Sequence, residues 1–277
     1  MEKKTNKDGR ALTFLYKTAP GRLVLKALTA RWISVVAGKI LDSSVSKPLI
    51  NRFVEKNGID LSEYESDNFK CFNDCFTRKI KDGLRPICMD KDALISPCDG
   101  LLSAYKITPE TVLDIKGSLY KVEDLVKNRK LAERYAGGTC LVFRLCVHHY
   151  HRYVYLDNGT KGKNVFIKGK LHTVRPIALE SLPVFKRNCR EYTVMQTENF
   201  GKVTQIEVGA LLVGKIKNHD GVCKIQRGRE KGMFLYGGST VVLLLEKDAV
   251  KVDDEFFTAT INGEETEVKM GQVIGKK

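Results

Sequence analysis

The feature that most constrains this chain is a change of texture near Ala93. Before it, apolar residues recur at helical spacing. Leu23, Ala27, Ala30 and Ser34 form one stripe, broadened by Leu25, Leu28, Trp32, Val35 and Val36. Further helices are expected from about Lys47 to Lys56, stopping at Asn57-Gly58, and from Phe69 to Lys81 before Asp82-Gly83. After Ala93 the chain breaks into short β-like runs punctuated by glycine, as at 139–147, 204–216 and 239–246, with one more helix expected over 122–128. Helices first and strands later, without regular alternation, predict an α+β fold: N-terminal helices followed by a mainly antiparallel β core. No internal repeat or low-complexity segment interrupts this order. At 277 residues the chain is long enough for one large domain or two small ones. We divide it into a basic helical segment, 1–60, and a second domain, 61–277.

Charge narrows the partners. Lys and Arg exceed Asp and Glu by enough to give a formal net charge of +14, which favours nucleic acid, an anionic membrane surface or an acidic substrate. In the first forty residues Lys17, Arg22, Lys26, Arg31 and Lys39 alternate with apolar groups. That pattern suits an interfacial helix lying on lipid headgroups, and equally a surface helix packed on its own domain. The longest uncharged stretch there, 32–38, is far short of the roughly 18 residues a membrane span needs. No transmembrane anchor and no secretion signal are expected. The eight cysteines form no C-x-x-C pair, and several lie in apolar runs, so they are expected to be reduced, structural and intracellular, with no metal site.

The chemistry-bearing segment is Tyr236-Gly237-Gly238-Ser239-Thr240, which runs directly into the apolar strand 241–245. Glycine permits strained backbone and leaves the Gly238 carbonyl unshielded. A serine hydroxyl beside that carbonyl can attack it and move the acyl group from nitrogen to oxygen. The ester can then eliminate, and hydrolysis leaves a ketone where the amino end was. A plain turn reads the same way, so the surroundings decide. Upstream lies Arg227-Gly228-Arg229-Glu230-Lys231-Gly232, a glycine-spaced charged approach. Earlier come Phe72-Asn73-Asp74-Cys75-Phe76-Thr77-Arg78-Lys79, Arg85-Pro86-Ile87, Ser96-Pro97-Cys98-Asp99-Gly100, Ile115-Lys116-Gly117, Tyr150-His151-Arg152 and Val208-Gly209-Ala210 with Val213-Gly214. In this order, from about Phe69 to Leu245, the set resembles the phosphatidylserine decarboxylase family.

The resemblance implies a self-processing enzyme. It implies cleavage between Gly238 and Ser239, conversion of Ser239 to a pyruvoyl cofactor, no metal, and decarboxylation of phosphatidylserine to phosphatidylethanolamine. The pieces 1–238 and 239–277 would stay together through the strand after Ser239. Asp99, by its residues alone a turn aspartate, is implied to orient and charge a histidine. His151 is implied to be the base or proton donor near Ser239. His148, His149 and His151 could also suggest metal, but on a strand His148 would face away from the other two. Many relatives carry a second histidine three positions later, where this chain has Val154. The second proton-transfer role is therefore open among His151 itself, His148, His149 and His172. The expected partners are phosphatidylserine and an anionic membrane surface held by segment 1–60, not nucleic acid. The expected location is peripheral, on the cytoplasmic side of the cell membrane.

Overall fold

A computed structural model describes residues 10–28, 31–115, 118–169, 188–209, 216–235 and 239–277. Helices α1 (Arg10–Lys17), α2 (Ala19–Leu28), α3 (Arg31–Leu41) and α4 (Leu49–Asn57) open the chain. The side chains of 26–35, Trp32 among them, lie outside what is described. Helix α4 ends on Gly58 at φ 60°, whose N–H donates to the Glu55 carbonyl, the left-handed ending that glycine adopts at least cost.

The helix expected over 69–81 is much shorter, because α5 covers only Phe72–Phe76. Residues 79–81 are claimed by other partners. Glu65 N–H donates to the Lys79 carbonyl, Lys81 N–H donates to the Glu63 carbonyl, and Tyr64 bridges to Ile80. Those backbone groups are then not free to extend a helix.

Next come β1 (Ala93–Ile95), β2 (Gly100–Lys106), β3 (Val112–Ile115) and β4 (Ser118–Lys121), then α6 (Val122–Val126) and α7 (Arg129–Glu133). Strands β5 (Thr139–Leu145), β6 (Arg152–Val154), β7 (Gly159–Lys161), β8 (Val165–Ile167), β9 (Arg190–Thr197) and β10 (Lys202–Val208) follow. The chain closes with β11 (Ile216–Asn218), β12 (Cys223–Ile225), β13 (Glu230–Phe234), β14 (Ser239–Leu245), β15 (Lys251–Val252), α8 (Asp254–Ile261), β16 (Thr266–Val268) and β17 (Val273–Lys276).

The fold is α+β, and the pairings among the described strands are antiparallel. The main sheet runs β12-β7-β9-β10-β14-β5-β2-β16, with β8 also on β9. A smaller sheet, β11-β13-β6, carries the residues that lead into β14. The chain therefore passes from one sheet to the other between Leu235 and Ser239.

Strand β14 is central. Its seven residues are all buried, which is why its sequence is apolar at successive positions rather than alternating. Tyr16 of α1 and Leu25 of α2 belong to the same main core. A second cluster joins Ile59, Tyr64, Ile80, Tyr150, Val154 and Met270. All eight cysteines are free thiols.

Candidate active site

One row of register pairs crosses the main sheet: Glu267 to Leu101, Leu101 to Arg144, Arg144 to Thr240, Thr240 to Val208, and Val208 to Arg190. One residue beyond this row, at the same end of the sheet, lie Gly100, Leu145, Ser239 and Gly209. Motifs separated by more than a hundred residues are thus drawn together by strand pairing alone. Ser239 opens β14 opposite Leu145 and is fully buried. Among the described residues its Oγ has no hydrogen-bond partner, an uncommon state for a buried hydroxyl. Gly238 and His172 lie outside the described residues.

Beyond Leu145 the chain does not continue as a strand, as the sequence suggested. Residues 147–149 form a turn, in which the His149 N–H donates to the Cys146 carbonyl at 3.0 Å. The turn brings the His148 and His149 rings together, with centroids 4.3 Å apart, instead of sending them to opposite faces. Arg78 holds the turn from beneath. Its Nη2 donates to the carbonyls of His148 at 2.8 Å and His149 at 3.4 Å.

The two neighbouring histidines carry their protons differently. His149 Nδ1 accepts the Cys146 N–H at 2.9 Å, so its proton sits on Nε2. His151 Nδ1 lies 2.9 Å from the His149 carbonyl, which can only accept, so its proton sits on Nδ1 and Nε2 keeps a lone pair. Burial drives both below the usual histidine range. His149 falls to about 4, with the His148 ring adding to the effect and Asp99 opposing it. His151, also beside Arg78 and His149, falls well below its ordinary value. Its ring packs on Phe76 at 4.0 Å between centroids.

Asp99 is buried and clasped by Arg85, whose Nε and Nη2 donate to the two carboxylate oxygens at 2.9 and 2.8 Å. Its Oδ1 also accepts the Met270 N–H at 2.9 Å. Among the hydrogen bonds of the described residues, Asp99 has none to a histidine, and its field is felt at His149. Asp99, Arg85, His148 and His149 line an open cleft of about 210 Å³, together with residues 58–60 and 267–269. Among the described residues, no cluster of three or more His, Cys, Asp or Glu is placed to hold a metal ion.

Comparison with known proteins decides the class. Residues 72–276 match the sequence profile described as phosphatidylserine decarboxylase. The chain belongs to the phosphatidylserine decarboxylase family. It is therefore an enzyme of the decarboxylase class. It is 44% identical over 274 residues to phosphatidylserine decarboxylase proenzyme 2 of Clostridium acetobutylicum, covering 99% of this chain and 94% of that one. The proenzyme of Ruminiclostridium cellulolyticum is 44% identical, covering 96% and 91% respectively. That of Clostridium perfringens is 38% identical, covering 96% and 92%.

Several residues that build this candidate site carried no assigned role in the sequence. Arg78 and Arg85 stood inside quoted motifs with no part of their own. A second omission is a buried ion pair. Lys231 Nζ donates to Glu207 Oε1 at 2.8 Å and to Asn218 Oδ1 at 2.7 Å, with both charged side chains fully buried. Glu207 lies opposite Val241, on the sheet face that Ser239 shares two residues earlier. A charge set between Ile206 and Val208 in an apolar strand was the available signal.

Proposed function

We propose that this chain is a pyruvoyl-dependent phosphatidylserine decarboxylase that cuts itself between Gly238 and Ser239. The observation that carries this is the buried Ser239 Oγ, without a hydrogen-bond partner among the described residues, at the sheet end where the family's motifs meet. Such a hydroxyl has no bond to another described residue to give up before it attacks the preceding carbonyl. Attack transfers the Gly238 acyl group from the Ser239 nitrogen to Oγ, and the oxygen's proton must leave. His151 is the base in this reading, because it is neutral and its Nε2 lone pair is free. Asp99 contributes by fixing Arg85 and by its field on His149. Elimination of the ester then releases fragment 1–238 with a Gly238 carboxylate and leaves dehydroalanine at position 239, and its hydrolysis expels ammonia to leave the pyruvoyl group on 239–277.

The position fits the group it would carry, since residue 239 is buried and its side-chain oxygen is not committed to the protein. A pyruvoyl group there would supply an electron sink for the charge left when carbon dioxide departs. The protein's own part is to hold the lipid headgroup and keep water away. Five aliphatic residues of β14, Val241 to Leu245, are buried, worth on the order of 10 kcal/mol before chain entropy. That would keep the short fragment in the sheet after cleavage, without a disulfide.

The basic N-terminal segment would dock the enzyme on an anionic membrane, peripherally and on the cytoplasmic side. Phe14, Leu23, Val24, Val36 and Ile40 are exposed, and Lys17 and Lys39 are exposed beside them, which supports this reading. No described helix is long and apolar enough to cross a membrane. The test of the enzyme reading is release of carbon dioxide from phosphatidylserine by purified, cleaved protein. Ser239→Ala should leave one intact chain without activity, and an active Ser239→Ala would refute the proposal.

A further inference from the structure

The buried Lys231–Glu207 pair joins the two sheets. Glu207 belongs to β10 of the main sheet and Lys231 to β13 of the smaller one, and both side chains are fully buried. Asn218 of β11 ties the pair further. Its Oδ1 accepts from Lys231 at 2.7 Å, and its Nδ2 donates to Glu191 of β9 at 2.7 Å and to Glu207 at 3.3 Å. Gln205 Nε2 donates to Glu207 Oε1 at 3.0 Å. Strands β11 and β13 are thereby fastened to β9 and β10 by directional bonds.

A buried pair of this kind is a poor source of stability. Taking both charges out of water costs about what their attraction returns, and apolar side chains of similar volume often serve as well or better. What the pair supplies is direction. A hydrogen bond holds to a narrow range of distance and angle, whereas the hydrophobic effect has no direction.

That precision falls beside the segment to be cut, and β13 bears on it twice. Its last residue, Phe234, donates its N–H to the His151 carbonyl at 3.0 Å, and Gly232 and Met233 pair with Tyr153 and Arg152. His151, the base in the self-processing reading, is therefore placed by β13. The same strand leads through Leu235 toward Gly238, while Ser239 opens β14 beside β10, with Glu207 opposite Val241. Lys231 thus holds the strand before the cut, and Glu207 fixes it to the neighbour of the strand after the cut.

We propose that the Lys231–Glu207 pair positions self-cleavage: its directional bond sets β13, and with it His151 and the approach to Gly238, against Ser239. The proposal rests on the self-processing reading above and deepens it. Lys231 and Glu207 are positioning residues that act through β13 and do not touch the reacting atoms. Attack of the hydroxyl on the carbonyl needs those atoms about 3–3.5 Å apart, and a misplacement of about 1 Å costs on the order of 10²-fold.

Two variants set direction against stability. Lys231→Met with Glu207→Leu removes both charges and fills the space with apolar atoms, but has no directional bond. Glu207→Gln keeps an amide oxygen for Lys231 Nζ while leaving a buried lysine without its carboxylate, so it should be the less stable of the two. Full-length chains made by cell-free synthesis are followed by gel at a temperature where melts show them folded. The double variant should cleave at least about 10²-fold more slowly than wild type, and Glu207→Gln should stay within about tenfold of it. A role in stability alone predicts the reverse order, so cleavage rates that follow Tm would overturn the proposal. So would wild-type cleavage in the double variant. If the double variant does not fold, Glu207→Gln decides: cleavage within about tenfold at lowered stability supports the proposal, and a loss of about 10²-fold overturns it. Neutral hydroxylamine splits an ester but not an amide. It should not hasten fragment release from the double variant, because the fault lies before the acyl shift; faster release would overturn the proposal. If the wild-type chain itself stays whole, the self-processing reading falls and this proposal falls with it. If wild type cleaves, the variants test the positioning role alone.

Discussion

His149 and His151 sit two residues apart and hold their protons on opposite ring nitrogens. Each is fixed by a backbone group of the same turn, so the assignment does not depend on distant packing. Both are kept neutral by burial, and this links stability to pH. Below about pH 6.5 the unfolded chain binds protons that the folded chain refuses, so stability is full above that value and falls as pH drops. The slope is roughly 1.4 kcal/mol per pH unit for each histidine within its window, which for His149 runs down to about 4. Thermal melts should show Tm falling between pH 7 and pH 5, with a shallower fall in His149→Asn. A Tm that rises on acidification would contradict the burial argument. At His151, replacement by alanine removes the free Nε2 and should slow cleavage or turnover by about 10²–10⁴-fold, read by gel time course and product assay. Normal cleavage at a normal rate would remove His151 from the mechanism.

Among the elements, β10 and β13 carry the least expected feature, the buried Lys231–Glu207 pair shared with Asn218. Neither charge reaches water, so removing Lys231 leaves Glu207 without an opposite charge, held among the described residues by Gln205 and Asn218 alone. Lys231→Ala should cost about 3–5 kcal/mol in urea unfolding, and pairing Lys231→Met with Glu207→Leu should recover much of that. A Lys231→Ala variant as stable as wild type would mean that Glu207 finds another partner. The local elements were largely legible. Strand β14 and helix α4 follow from an apolar run after glycines and from Asn57-Gly58, because both are set by short-range chemistry. The truncation of α5 at Phe76 was not, since bonds from Glu63 and Glu65 decide it across tertiary distance. The histidine turn at 147–149 was missed for a similar reason, because an apolar strand continuing past Leu145 predicts alternating faces. Ser239 could be singled out from its neighbours in sequence, whereas the Asp99–Arg85 clasp needs two segments folded together.

The whole molecule brings a basic helical start, a buried central strand and a mixed-charge cleft into one α+β fold. Its net charge of +14 should make membrane attachment sensitive to salt. Co-sedimentation with vesicles containing phosphatidylserine should be strong at low ionic strength, weaken as salt is raised, and be lost on neutral vesicles. Equal binding to neutral vesicles would argue against electrostatic docking. The central claim is that the chain processes itself at one bond. Intact-mass measurement of natively expressed, denatured protein tests this most directly. The account predicts two species, 1–238 and 239–277, the second carrying a pyruvoyl group in place of its serine amino end. A single unbroken chain of 277 residues in active protein would contradict it.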